Sequence, residues 1–148
     1  MSLRFRRDLA LEVAREAERA FPEECCGFLI GVPPEDFNRV GRTVTVSEVS
    51  VLPNGWEGSD RGRRYSIDPL DFERTERRLL GTGLCIVGFY HSHPDAPAWP
   101  SPFDLERAWP CYSYWIVSVR SGKAAESRSW MRDEDGRNFM EEEIVQEE

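Results

Sequence analysis

No apolar run in the sequence approaches the roughly 20 residues that a helix needs to cross a bilayer, so no transmembrane helix is expected. Residues 1–7 are basic, but a charged amphipathic pattern follows where a signal peptide would carry its apolar segment, and a cytoplasmic location is the expectation. Basic charge is in deficit: 19 Lys and Arg stand against 27 Asp and Glu, a formal net charge of -8. Such a surface repels phosphate backbones and anionic lipids, so neither nucleic acid nor a membrane is an expected partner. The four cysteines, Cys25, Cys26, Cys85 and Cys111, have no C-x-x-C spacing and read as reduced, buried thiols. Also absent are the H-E-x-x-H of one metalloprotease class and the H-x-E with P-C-x-x-C of the zinc deaminases. Histidine itself is scarce, with only His91 and His93.

What is present suits one folded domain over residues 1–148. The hydrophobic fraction is 40%, too high for a disordered chain, and the length suffices for a core without disulfide staples. Leu9, Val13, Ala17 and Ala20 recur at helical spacing over residues 7–20, and Pro22 stops that helix. Residues 25–32 read as a buried strand. Residues 40–52 are β-branched with neither face cleanly apolar, which predicts an exposed or edge strand. Residues 53–62 are loop, and Arg61, Arg63 and Arg64 form the one concentrated basic patch. A short strand is expected at 65–67, then a helix from the Asp68 cap and Pro69 to Leu80, burying Phe72, Leu79 and Leu80. A central strand over 84–90 ends in the histidines. A helix over 101–109, a hairpin of strands over 112–120 and 125–131, and an ordered segment over 138–145 complete the chain, with the Glu-rich end expected to fray.

The chemistry gathers at Gly88-Phe89-Tyr90-His91-Ser92-His93-Pro94 and at Ser101-Pro102-Phe103-Asp104. Side chains two apart on a strand share a face, so His91 and His93 can present both imidazoles to one point. Asp104, on the next helix start, is the natural third ligand. Two imidazoles and a carboxylate leave a fourth position open on a zinc ion, which lowers the pKa of its water to roughly 7. Glu23 and Glu24 stand at the entrance of the 25–32 strand, and periodicity alone does not choose between them.

Together these residues resemble the JAMM, or MPN-plus, zinc metalloproteases, whose signature is an upstream glutamate followed by H-x-H-x7-S-x-x-D. His91, His93, Ser101 and Asp104 match it without a gap, and residues 21–31 look like the family's first motif. The resemblance implies a mixed α/β (α+β) fold with a curved, largely antiparallel sheet flanked by helices, similar to cytidine deaminases. It implies one zinc ion with a bound water, held by His91, His93 and Asp104, with Glu24 as general base and Ser101 stabilising the tetrahedral intermediate. It also implies cleavage of a peptide or isopeptide bond after the tail of a ubiquitin-like protein or sulfur carrier, some small prokaryotic members trimming a carrier after its Gly-Gly end. That tail would add as a strand to a sheet edge, with the arginine patch engaging acids of the partner. The rival readings are a non-catalytic binding module of the same fold and a zinc amidase acting on cell-wall or small-molecule amides.

Overall fold

The computed structural model describes residues 1–35 and 42–148. Seven strands close into a barrel in the order β1-β3-β2-β4-β5-β6-β7. They are β1 (Ser2–Arg6), β2 (Cys26–Val32), β3 (Thr43–Leu52), β4 (Cys85–Pro94), β5 (Ser113–Arg120), β6 (Lys123–Arg132) and β7 (Phe139–Glu147). The helices among the described residues are α1 (Arg7–Ala20), α2 (Pro69–Leu79) and α3 (Pro102–Arg107). Four of the neighbouring pairs are antiparallel; β1 with β3, β1 with β7, and β4 with β5 run parallel. Among the described residues no helix is long and apolar enough to cross a membrane.

β4 is the wall between two cores. Val87 and Tyr90 point toward α1, where Leu9, Val13 and Ala17 pack with Leu29, Val44 and Trp115. Ile86 and Phe89 point the other way, with Phe28, Leu79, Ala108 and Ile116. A strand covered on both faces is apolar throughout, which explains the unbroken hydrophobic run that ends at the histidines. His91 and His93 share the parity of Phe89 and lie on the α2 and α3 side. On β2, a Cβ at Gly27 would sit 2.3 Å from both the Ser50 carbonyl oxygen and the Tyr90 ring, so only glycine lets these strands close here.

Several expectations are corrected. The strand expected over 40–52 starts at Thr43, since Val40 falls outside the described residues, and it is no edge: β3 pairs with β1 and β2 and buries Val44 and Val46. Its alternation is blurred because the pairing register with β2 shifts between Ile30 and Gly31, stepping over Ser47. Residues 65–67 form no strand, and the Ser66 carbonyl accepts from the Gly55 N–H at 2.9 Å. Leu80 lies past the end of α2 and is 76% exposed. α3 stops at Arg107, and Cys85 and Cys111 are only partly buried, although all four thiols are free.

The acidic C-terminal end, expected to fray, lies in β7 as far as Glu147. β7 pairs with β1 out to Arg6 and Glu147, turning its carboxylates outward apart from the buried Glu142, which accepts from the Ser129 hydroxyl at 2.9 Å. β1 itself, with Leu3 and Phe5 buried, is a strand that the arginine-flanked sequence does not announce. Every strand has a neighbour on each side, so no whole strand is left as the sheet edge expected to receive a tail, although residues 123–128 of β6 pair with β5 alone and residues 143–147 of β7 with β1 alone.

Candidate metal centre

α3 is short and strongly capped. Pro102 opens it, the Ser101 Oγ accepts from the Asp104 N–H at 3.1 Å, and the Asp104 Oδ2 accepts from the Ser101 N–H at 2.9 Å. That reciprocal box fixes the Asp104 side chain. The same Oδ2 lies 3.2 Å from the His93 Nε2 and 3.4 Å from the His91 Nε2, and the two imidazole nitrogens are 3.1 Å apart. All three residues are buried. An ion bound tetrahedrally with bonds of about 2.0 to 2.1 Å holds its ligand atoms about 3.3 to 3.4 Å apart. The triangle therefore fits one metal ion, and its donor set is the N, N, O of catalytic zinc sites.

The His93 Nδ1 donates to the Pro97 carbonyl at 2.9 Å, which leaves its Nε2 lone pair toward the triangle. His91 has no such anchor among the described residues: its Nδ1 is buried without a hydrogen-bond partner there, and its ring stacks on Tyr65 at 4.5 Å and 25°. Burial pushes the His91 pKa down despite Asp104, favouring the neutral ring that a metal needs. Burial alone would raise the Asp104 carboxyl, but the two adjoining imidazoles and the Ser101 N–H outweigh it and hold the carboxyl well below its usual range.

Glu24 and Glu23 part company. Glu23 is half exposed and pairs with Arg61 at 3.7 Å, whereas Glu24 is buried with no hydrogen-bond partner for its Oε1 among the described residues. Burial first, and then the nearby Asp104 charge, push its pKa up to about 9, with Arg64 opposing. Its backbone is pinned on both sides: its N–H donates to the Arg61 carbonyl at 2.7 Å, and its carbonyl accepts from Asn54 Nδ2 at 3.2 Å.

Two residues that sequence reasoning passed over do this positioning. The Ser92 Oγ accepts from the Cys25 N–H at 2.8 Å while the Ser92 N–H donates to the Cys25 carbonyl at 3.2 Å, so the serine between the histidines ties Glu24's neighbour to β4. A hydroxyl on the α1 face of a doubly buried strand needs a partner, and that was the available signal. Asn54 bonds Glu24, Arg64, Trp56 and Ser66 at once, fixing the 53–66 loop; the sequence shows it only as turn chemistry. Ser101 keeps its hydroxyl hydrogen unengaged among the described residues. Beside Asp104 opens a cavity of about 610 Å³ lined by Tyr65, Phe72, Phe89, Phe103, Arg107 and Trp109 among others.

Comparison with known proteins agrees with this geometry. The family described as prokaryotic homologs of the JAB domain matches residues 6–133. A desampylase of Haloferax volcanii is 35% identical over 130 residues, 86% of this chain and 85% of that one. A CysO-cysteine peptidase of Mycobacterium tuberculosis is 30% identical over 126 residues, covering 84% and 79%. A solution structure of a protein from Desulfitobacterium hafniense superposes with a TM-score of 0.79 at 29% identity, covering 99% of this chain and 93% of that one. With its histidine pair, its Ser101 to Asp104 box and this match along most of its length, the chain belongs to the JAMM family, among the prokaryotic homologs of the JAB domain.

Proposed function

We propose that this protein is a zinc-dependent peptidase or isopeptidase that hydrolyses the bond after the C-terminal tail of a ubiquitin-like or sulfur-carrier protein. The observation that carries the reading is the three-atom ligand triangle of His91, His93 and Asp104, together with a buried Glu24 whose carboxyl feels the Asp104 charge. The names of the relatives, a desampylase and a CysO-cysteine peptidase, supply the substrate class.

His91, His93 and Asp104 would hold the zinc, which when bound supplies Lewis-acid charge and an acidified water. Glu24 accepts the proton that the attacking water loses and returns it to the departing amine, so amide and water give carboxylic acid and amine, which become carboxylate and ammonium when the acid's proton passes to the amine. A group that burial makes reluctant to ionise both takes and gives a proton readily once a neighbouring cation lowers its pKa toward neutrality. The Ser101 hydroxyl donates toward the carbonyl oxygen as charge develops on it. Ser92 and Asn54 keep Glu24 in place throughout.

Incubation with ubiquitin-like and sulfur-carrier proteins bearing C-terminal extensions, read by mass spectrometry, tests this. The expected product is a carrier trimmed at the end of its own tail. Capture of a carrier without cleavage would favour the binding module, and cleavage confined to small or cell-wall amides would favour the amidase.

A further inference from the structure

The basic patch divides on inspection. Arg61 is occupied, its Nε donating to the Trp56 carbonyl at 2.9 Å and its Nη1 paired with Glu23. Arg63 is exposed. Arg64 is half-buried, with its guanidinium carbon 3.9 Å from the centre of the Phe103 ring. One α3 turn further on, Arg107 approaches the same ring at 5.2 Å and the Trp56 ring at 6.0 Å, while Trp56 meets Phe103 edge-on at 5.6 Å. Two guanidinium groups and two aromatic rings thus form one cluster.

Its placement ties it to the centre. Phe103 immediately precedes Asp104, and Asn54 Nδ2 holds the Arg64 carbonyl at 3.0 Å and the Glu24 carbonyl at 3.2 Å, so one amide group binds the arginine and the glutamate backbones together. Phe103, Asp104 and Arg107 also line the cavity. Arginines elsewhere on this acidic chain, such as Arg4, Arg77 and Arg128, have found carboxylates. Among the described residues, neither the Arg64 nor the Arg107 guanidinium has an ion pair or hydrogen bond. Stacking orders a guanidinium yet leaves its N–H edge for a second, planar partner, and a carboxylate matches that fork.

We propose that Arg64 and Arg107, stacked about Phe103, form a carboxylate-recognition site that selects substrates with an anionic group within about one or two residues of the cleaved bond. The inference rests on the hydrolase reading of the adjoining centre. The anion has two possible sources: the free α-carboxylate of a one-residue leaving group, or an acidic side chain beside the bond.

The test uses the full chain carrying Glu24→Gln and loaded with zinc, so that binding is measured without turnover. Three octapeptides serve as probes, ending in Gly-Gly-Ala with a free carboxylate, in Gly-Gly-Ala amide, and in Gly-Gly-Asp amide. The free acid is expected to bind about tenfold more tightly than the Ala amide, the scale of one charge-assisted bidentate contact. Arg64→Ala or Arg107→Ala should reduce that ratio, Arg64→Lys should retain part of it, and Arg63→Ala should leave it unchanged. Tight binding of the Asp amide as well would identify a side-chain acid as the source. Equal binding of all three peptides, no binding of any, or a preference that survives the Arg64→Ala, Arg107→Ala double variant would overturn the proposal. Carrier cleavage by the unmodified chain is scored separately, so a preference retained without cleavage counts against the hydrolase reading alone.

Discussion

A carboxyl group buried with one oxygen unpartnered costs stability, and Glu24 carries that cost among the described residues. In the metal-free chain its pKa rises from 4.5 to about 9. Between those values the folded chain holds a proton that the unfolded chain has lost, so this residue lowers stability as pH rises through that window. Glu24→Gln removes the penalty. Chelator-treated protein with this substitution should exceed the unmodified chain in urea unfolding at pH 8 by about 1 kcal/mol or more, with the gap closing toward pH 5. Equal stability at both pH values would show that burial does not hold the carboxyl protonated. At this scale sequence and structure agree unevenly. His91, His93 and Asp104 were readable from period-two geometry and a helix cap, both of them local rules. Glu24 needed family resemblance, because only the distant 53–66 loop and β4 make it buried while its neighbour Glu23 stays at the surface.

Among the elements, β4 and α3 were legible and the loop between β3 and α2 was not. A continuous apolar run, then histidines, then a proline-opened capping box are signals carried by neighbours in sequence. Asn54, Tyr65 and Ser92 act through partners 10, 26 and 67 positions away in the chain, which no local pattern encodes. Ser92 gives this a measurable form. Ser92→Ala leaves the buried Cys25 N–H without its acceptor, a loss of about 1 to 3 kcal/mol in urea unfolding. Because the serine faces away from the ligand triangle, zinc content should be kept while kcat falls with the displaced glutamate. Loss of zinc with an unchanged kcat in the remaining loaded fraction would instead make Ser92 a support of the ligands.

For the whole molecule, closure is the least legible feature. β1 and β7 join residues about 140 positions apart, as in the Ser2 to Glu143 pairing, and a strand so short and arginine-rich cannot be distinguished from a helix leader until its partners are known. The acidic end reads as a solvated tail for a related reason: its carboxylates do face water, but the strand backbone that carries them is paired, with β6 over residues 139–142 and with β1 over residues 143–147. The barrel brings the entrance of β2, the end of β4 and the start of α3 to one place, and the central claim is that they make a single hydrolytic zinc centre there. The direct measurement is zinc content and carrier cleavage on the same preparations of the unmodified chain and of Glu24→Gln. About one zinc per chain in both, with cleavage in the unmodified chain alone, is the result the account predicts. An unmodified chain that stays zinc-free after equilibration with the metal, or a Glu24→Gln variant that cleaves as fast, would contradict it.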